Sequence, residues 1–176
     1  KRRAGFADPV RSMNNAAQTV VHPFAPIYDA HSRVLILGSL PSVASRQQAF
    51  YYAHPRNRFW PVMAALDGSP LDTTAQRVAF LHRRHFALWD VIASCTITGS
   101  SDASIRDVTA NDFNRLLAET EIKTIVTTGK TAGRCYQKYA QPKTGIEAIV
   151  LPSTSPANAA VSFEQLIEAY RFLFEL

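Results

Sequence analysis

Arg33 to Leu37 reads RVLIL, an unbroken apolar run that stops at Gly38. A half-exposed strand would alternate polar and apolar residues, so a continuous run of this length predicts a strand buried on both faces. Comparable runs follow at Phe86 to Ile92 (FALWDVI), Thr124 to Thr128 ending at Gly129, and Ile146 to Leu151. Helical spacing separates them. Helices are expected over Phe59–Leu66 and over Thr73–Arg84, where Val78 and Leu81 turn inward and Arg77, Arg83 and Arg84 outward. Asn111 can cap a helix reaching about Thr120, another should cover Lys130 to Tyr139, and Ser162 can cap a last one. That last helix gathers Phe163, Leu166, Ile167, Tyr170 and Leu173 on one face. The alternation predicts an α/β fold, three-layer α/β/α around a central, mainly parallel four-stranded sheet.

Two stretches resist this pattern. Residues 1–30 lack periodicity and contain Pro9, Pro23 and Pro26, which reads as a loose N-terminal arm before a single domain over residues 31–176. Thr96 to Asp107 is rich in Thr, Ser, Gly and Asp and reads as a long polar loop.

A chain of 176 residues with 47% hydrophobic content suits one core, and a net charge of +5 favours an anionic partner. No apolar stretch is long enough to cross a bilayer, and Lys1-Arg2-Arg3 is not followed by the apolar core of a signal peptide. The expectation is a monomeric cytoplasmic or otherwise intracellular protein with no membrane partner. Cys95 and Cys135 are the only cysteines, so no four-thiolate site can form and an iron–sulfur cluster is excluded. His82 and His85 flank two arginines without an acidic neighbour and read as solvent-facing, so no metal and no cofactor is expected.

The chemistry concentrates in GSLPSVASRQQAFYYAHPRNRFW, Gly38 to Trp60. Its core, Ala53 to Trp60, resembles mismatch-specific uracil-DNA glycosylases, and the whole segment with Tyr51-Tyr52 is similar to hypoxanthine-DNA glycosylases. Both belong to the uracil-DNA glycosylase superfamily. The resemblance extends over most of residues 33–176: TIVTTGKTA (Thr124 to Ala132) is similar to the family's strand and glycine-lysine turn. LPSTSPANA (Leu151 to Ala159) and ALWDVIASC followed by GSSDASI (Ala87 to Ile105) resemble the hypoxanthine branch. The implied partner is DNA containing deaminated bases, and the implied reaction is hydrolysis of the base–sugar bond to leave an abasic site.

That reaction passes through an oxocarbenium-like sugar, so a site must hold water, stabilise positive charge and bind the departing base. An extruded base also needs a stacking surface. The resemblance places Tyr52 there, with Tyr51, Gly38, Ser39 and Leu40 completing the base-binding set; a core aromatic cluster is the alternative for the tyrosines. Asn57 is the implied catalytic residue, since its amide can accept from water and donate to a base, although Asn also caps helices and one begins near Phe59. His54 and Ser153 join it as catalytic candidates. Ser42, Ser45, Arg56, Arg58, Lys130 and Ser155 are candidates for phosphate contact and Asn158 for insertion into the DNA, each with an ordinary turn or surface role as the alternative.

Two departures stand out. Leu40 occupies the place where other branches put an Asp, Asn or Glu that holds the attacking water, which leaves Asn57 or the Ser39–Leu40 backbone to position it. Ser153 replaces the His or Asn of other branches, and Ala157 stands where an apolar wedge is usual. Without a water-holding carboxylate, deoxyinosine is expected to be preferred over deoxyuridine. No Lys lies inside the two signature loops, so the expected enzyme is monofunctional and leaves the strand intact. The competing readings are a uracil-directed enzyme and a noncatalytic nucleic-acid-binding module.

Overall fold

The computed structural model describes residues 16–99 and 101–176. Four strands, β2 (Val34–Gly38), β3 (Phe86–Asp90), β6 (Thr124–Thr128) and β7 (Ala148–Leu151), form a sheet in the order β3-β2-β6-β7. Every pairing in it is parallel. The expected three-layer architecture is present. Val34 and Ile36 point into a core with Phe86, Leu88 and Val126, covered by α2 (Phe59–Asp67), α3 (Thr74–Arg83) and α7 (Phe163–Tyr170). Leu35 and Leu37 point the other way, toward Ala87, Ile125 and the side chains of α4 (Asn114–Ala118) and α5 (Lys130–Tyr139). All four side chains of Val34–Leu37 are buried, as an unbroken apolar run requires.

Local signals set the helix ends. Thr73 and Ser162 each form a capping box, accepting from the third helical residue, Gln76 or Gln165, which reaches back to the cap's own N–H. Short helices α1 (Val43–Gln48) and α6 (Gln141–Thr144) lack this length of pattern, and α1 was not anticipated from sequence.

A second sheet corrects two expectations. Strands β1 (Ala17–Val21), β4 (Ile92–Thr98) and β5 (Arg106–Ala110) pair antiparallel in the order β1-β4-β5. The predicted loop at Thr96–Asp107 is therefore strand at both ends, with one 3-10 turn at Asp102–Ser104 between. The predicted loose arm is structured over its described part: β1 pairs with β4 residue for residue, Tyr51 donates to the Ala25 carbonyl, and Phe24 packs on Tyr51. Residues 1–15 of that arm lie outside the described residues. Polar strands pairing across some 75 residues leave little local trace.

The run Phe86–Ile92 is likewise two strands. The chain leaves the parallel sheet at Val91 and enters the antiparallel one at Ile92. Asn111 is not a helix cap: its amide donates to the Asp90 carbonyl and its N–H to that of Val91, pinning the crossover. His82 is half-buried with Nδ1 3.0 Å from Asp29 Oδ2, so it does have an acidic neighbour, contrary to expectation. No helix among the described residues is long and apolar enough to cross a membrane.

The layer assignment makes a direct prediction. Leu35→Ala should cost about 2–5 kcal/mol in urea denaturation, because it opens a cavity between sheet and helices. Val150→Ala, on the half-exposed edge strand, should stay within about 0.5 kcal/mol of the parent.

Candidate active site

Parallel strands aim their carboxyl ends at one edge of the sheet, and a cavity opens there. Gly38 ends β2, Asp90 ends β3, Thr128 ends β6, and Ser153 to Ser155 follow β7; all line the cavity, with Ser39, Leu40, Tyr52, Asn57 and Lys130. Its volume is about 140 Å³. Ordinary ligand pockets run to roughly 300–1,000 Å³, so this one suits a single small heterocycle.

Two glycines make the closeness possible. A Cβ on Gly38 would collide with Asp90 Oδ1 and come within 3.3 Å of the Tyr52 hydroxyl. Gly129 has φ +104°, a conformation L-residues avoid, and a Cβ there would lie 3.0 Å from the Ser153 Cβ.

Tyr52 is held in the left-handed region at φ +52°, uncommon for an aromatic residue. Its ring stacks on Phe59 at 4.0 Å and 16°, and its hydroxyl lies 2.9 Å from Thr128 Oγ1. Burial pushes that phenol well above its ordinary pKa, so it stays neutral. Tyr51 is different. It is buried among Phe24, His22 and Phe50, with its hydroxyl on the Ala25 carbonyl, and it reaches the cavity only as wall. The core-aromatic alternative describes Tyr51 better than base stacking does.

Asn57 Oδ1 accepts from the Phe59 N–H and from the Thr154 hydroxyl, both at 2.9 Å. Both lone pairs are thereby used, which corrects the expectation that this amide accepts from water. What remains is Nδ2, which has no hydrogen-bond partner among the described residues. The helix-start role and a cavity-facing donor thus coexist in one side chain. His54 is not among the cavity-lining residues; its Nδ1 accepts from the Arg56 N–H and organises the turn, the structural role left open beside a catalytic one.

Arg58 also departs from expectation. Its guanidinium donates to the carbonyls of Val161, Ser155 and Asn158, the second at 3.3 Å and the third at 2.9 Å. Its own N–H bonds the Thr154 carbonyl. The group is consumed in pinning the 153–161 loop to the Asn57 turn, and it is not available to phosphate. Asn158 supports the same loop through Nδ2 on the Ser153 carbonyl, and Ser155 Oγ accepts from Ala157. Ser153 Oγ accepts from the Ser155 N–H at the cavity wall.

Ser42 and Ser45 divide similarly. Ser42 is exposed and caps α1, whereas Ser45 is buried with its Oγ taken by the Ala53 N–H and the Ser42 hydroxyl. Burial removes Ser45 from phosphate contact. Arg56 and Lys130 are exposed cations near the rim, and Lys130 opens α5 just past Gly129.

Sequence reasoning missed the carboxylate. Asp90 is buried at the cavity floor, with Oδ2 2.7 Å from His22 Nε2 at the end of β1. Burial raises its carboxyl above the ordinary carboxylate range, and the His22 hydrogen bond opposes that shift. A carboxylate is therefore present at the strand ends although Leu40 supplies none, which withdraws the argument that its absence disfavours uracil. A signal was present: an ionisable residue inside the apolar run FALWDVI must find a partner or a function.

Comparison with known proteins agrees with this geometry. The family model for the uracil DNA glycosylase superfamily matches residues 25–173. The chain belongs to that superfamily, and it is a DNA glycosylase, an enzyme that hydrolyses N-glycosidic bonds. Within it, the chain is 33% identical over 138 residues to the hypoxanthine DNA glycosylase of Methanosarcina barkeri, covering 77% of this chain and 86% of the relative. It is 34% identical over 142 residues to the hypoxanthine DNA glycosylase of Methanosarcina acetivorans, covering 79% and 89%. The solution NMR structure of a uracil DNA glycosylase candidate from Methanosarcina acetivorans superposes with a TM-score of 0.71 at 33% identity, covering 85% of this chain and 96% of that one.

The division between loop clamp and free cation is testable. Arg58→Ala should speed amide hydrogen exchange across residues 154–161 and lower the melting temperature, since three half-buried carbonyls lose their donor. Arg56→Ala should leave both unchanged while weakening duplex binding, with the salt slope falling by about 1 if that cation contacts one phosphate.

Proposed function

We propose that this chain removes hypoxanthine from DNA by hydrolysing the bond between the base and deoxyribose, leaving an unbroken abasic strand. The observation that carries the reading is the small cavity at the strand ends, where Asn57 Nδ2 remains a free neutral donor beside Tyr52. Relatives at about one-third identity that carry the name hypoxanthine DNA glycosylase support the choice of base.

A base inside a duplex is out of reach, so it must swing out into the cavity. Tyr52, rigidly set by Phe59 and Thr128, offers a stacking wall. Asn57 Nδ2 donates to the carbonyl oxygen or a ring nitrogen of the base, an interaction that strengthens as negative charge develops on the leaving group. Its orientation is fixed in advance, because Phe59 and Thr154 hold the other end of the amide. Ser42, Arg56 and Lys130 bind phosphates beside the extruded nucleotide; Ser153 and Ser155 shape the wall. The two signature loops contain no Lys to attack the sugar carbon, so an unbroken strand is the expected product.

The test is single-turnover release from duplexes containing deoxyinosine or deoxyuridine, in the presence of a metal chelator. Hypoxanthine should leave faster, and strands should break only after alkali. Asn57→Ala should reduce that rate by about 10²-fold or more, as expected for an oriented donor to the transition state. Faster release of uracil would assign the chain to the other substrate; nicking without alkali would contradict the monofunctional reading.

A further inference from the structure

Whereas the buried carboxylate of Asp67 is paired with Arg83 and Arg84, Asp90 is the one acidic residue buried as a whole among the described residues, and it lies at the floor of the cavity. The fold holds it there at some cost. Gly38 must lack a side chain to make room for Oδ1, Asn111 holds the Asp90 carbonyl, and β1 delivers His22 to Oδ2. The side chains of His22 and Asp90 are only 4% and 5% exposed, so this is not a surface ion pair. Oδ1 has no hydrogen-bond partner among the described residues. A buried carboxylate oxygen left open toward a reaction-sized cavity is a site for a water molecule.

We propose that Asp90 is the water-activating residue of this glycosylase, with His22 as the positioning residue that holds its carboxylate. The inference rests on the proposed base-release reaction and adds the group that delivers the nucleophile. Water bound to Oδ1 attacks C1′ of the deoxyribose; the C1′–O bond forms as the bond from C1′ to the base nitrogen breaks. The bonding electron pair leaves with the base, which is taken up as the anion against Asn57 Nδ2 and then protonated by solvent. The water's proton passes to Asp90 and on to solvent. The negative carboxylate also lies beneath the sugar as positive charge builds on it.

The pair divides the work between its oxygens. His22 donates from Nε2 to Oδ2 and so fixes the plane of the carboxylate, leaving Oδ1 for water. Titratable and charged groups facing Asp90 are His22 from the end of β1, Tyr51 and Tyr52 from the segment after α1, and Asp102 and Lys130 around the cavity. Burial raises the Asp90 pKa, so folding disfavours its ionised form. That cost is absent below the unfolded carboxylate pKa and grows as pH rises from there toward the folded value. A neutral isostere should therefore leave the free protein no less stable at neutral pH while removing the chemistry.

The experiment measures single-turnover hypoxanthine release by the wild-type chain, Asp90→Asn, His22→Ala and His22→Gln, alongside melting temperature and duplex binding. Asp90→Asn should melt no lower than wild type at neutral pH, bind deoxyinosine duplex, and lose about 10²–10⁴-fold in rate, the range of a general base. The wild-type rate should fall on the acid side through an apparent pKa above the ordinary carboxylate range. His22→Ala should move that limb to higher pH, because the hydrogen bond that favours the ionised form is gone, and His22→Gln should restore part of the shift. A merely structural pair would not move the limb. A folded Asp90→Asn with the wild-type rate overturns the inference and leaves the proposed function standing. If that variant fails to fold, a wild-type rate flat across the acid range, or an acid limb unmoved in His22→Ala, overturns it equally. A wild-type chain that releases no base from either lesion takes down the proposed function and this inference together.

Discussion

Burial of Val34–Leu37 on both faces governs where chemistry can occur in this protein. A strand covered by helices on each side offers no open face, so only the ends of the parallel strands reach a cleft. At the carboxyl ends the strands stop at Gly38, Asp90 and Thr128, and the chain must turn there in loops free to carry polar groups. The same sheet that excludes water from the core delivers a glycine, a carboxylate and a hydroxyl to one small cavity.

Holding polar groups in that place requires partners from far away in the sequence. His22 reaches Asp90 across 68 residues, and Thr154 reaches Asn57 across 97. Arg58 fastens the loop after β7 over a similar separation. These contacts turn two flexible loops into a rigid frame around Tyr52 and Asn57. Preorganisation of this kind matters for glycosidic hydrolysis because the donors must already be aimed when charge appears on the base and the sugar.

The elements with strong local patterns could be read from the sequence: β2 from its unbroken apolar run, α5 from Gly129 onward, and α7 from Ser162 and its apolar stripe. Resemblance in Gly38–Trp60 located the loop that carries Tyr52 and Asn57. The second sheet was not legible, because Ala17–Val21 and Arg106–Ala110 are mostly exposed, and they become strands only by pairing with β4. Arg58 and Ser45 looked like surface groups because sequence does not show that the loop after β7 folds its carbonyls over Arg58 or that the Ala53 N–H reaches Ser45. Asp90 escaped notice for a related reason: its partner, His22, lay in a stretch expected to be loose.

The central claim is that a single extruded nucleotide occupies the cavity between Asn57 and Asp90. It is tested most directly by a crystal structure with a duplex carrying an uncleavable 2′-fluoro deoxyinosine. The account predicts hypoxanthine against Tyr52, within hydrogen-bond distance of Asn57 Nδ2, and C1′ facing Asp90 Oδ1 with one water between them. A nucleotide that remains stacked in the duplex, or one bound outside this cavity, would contradict it.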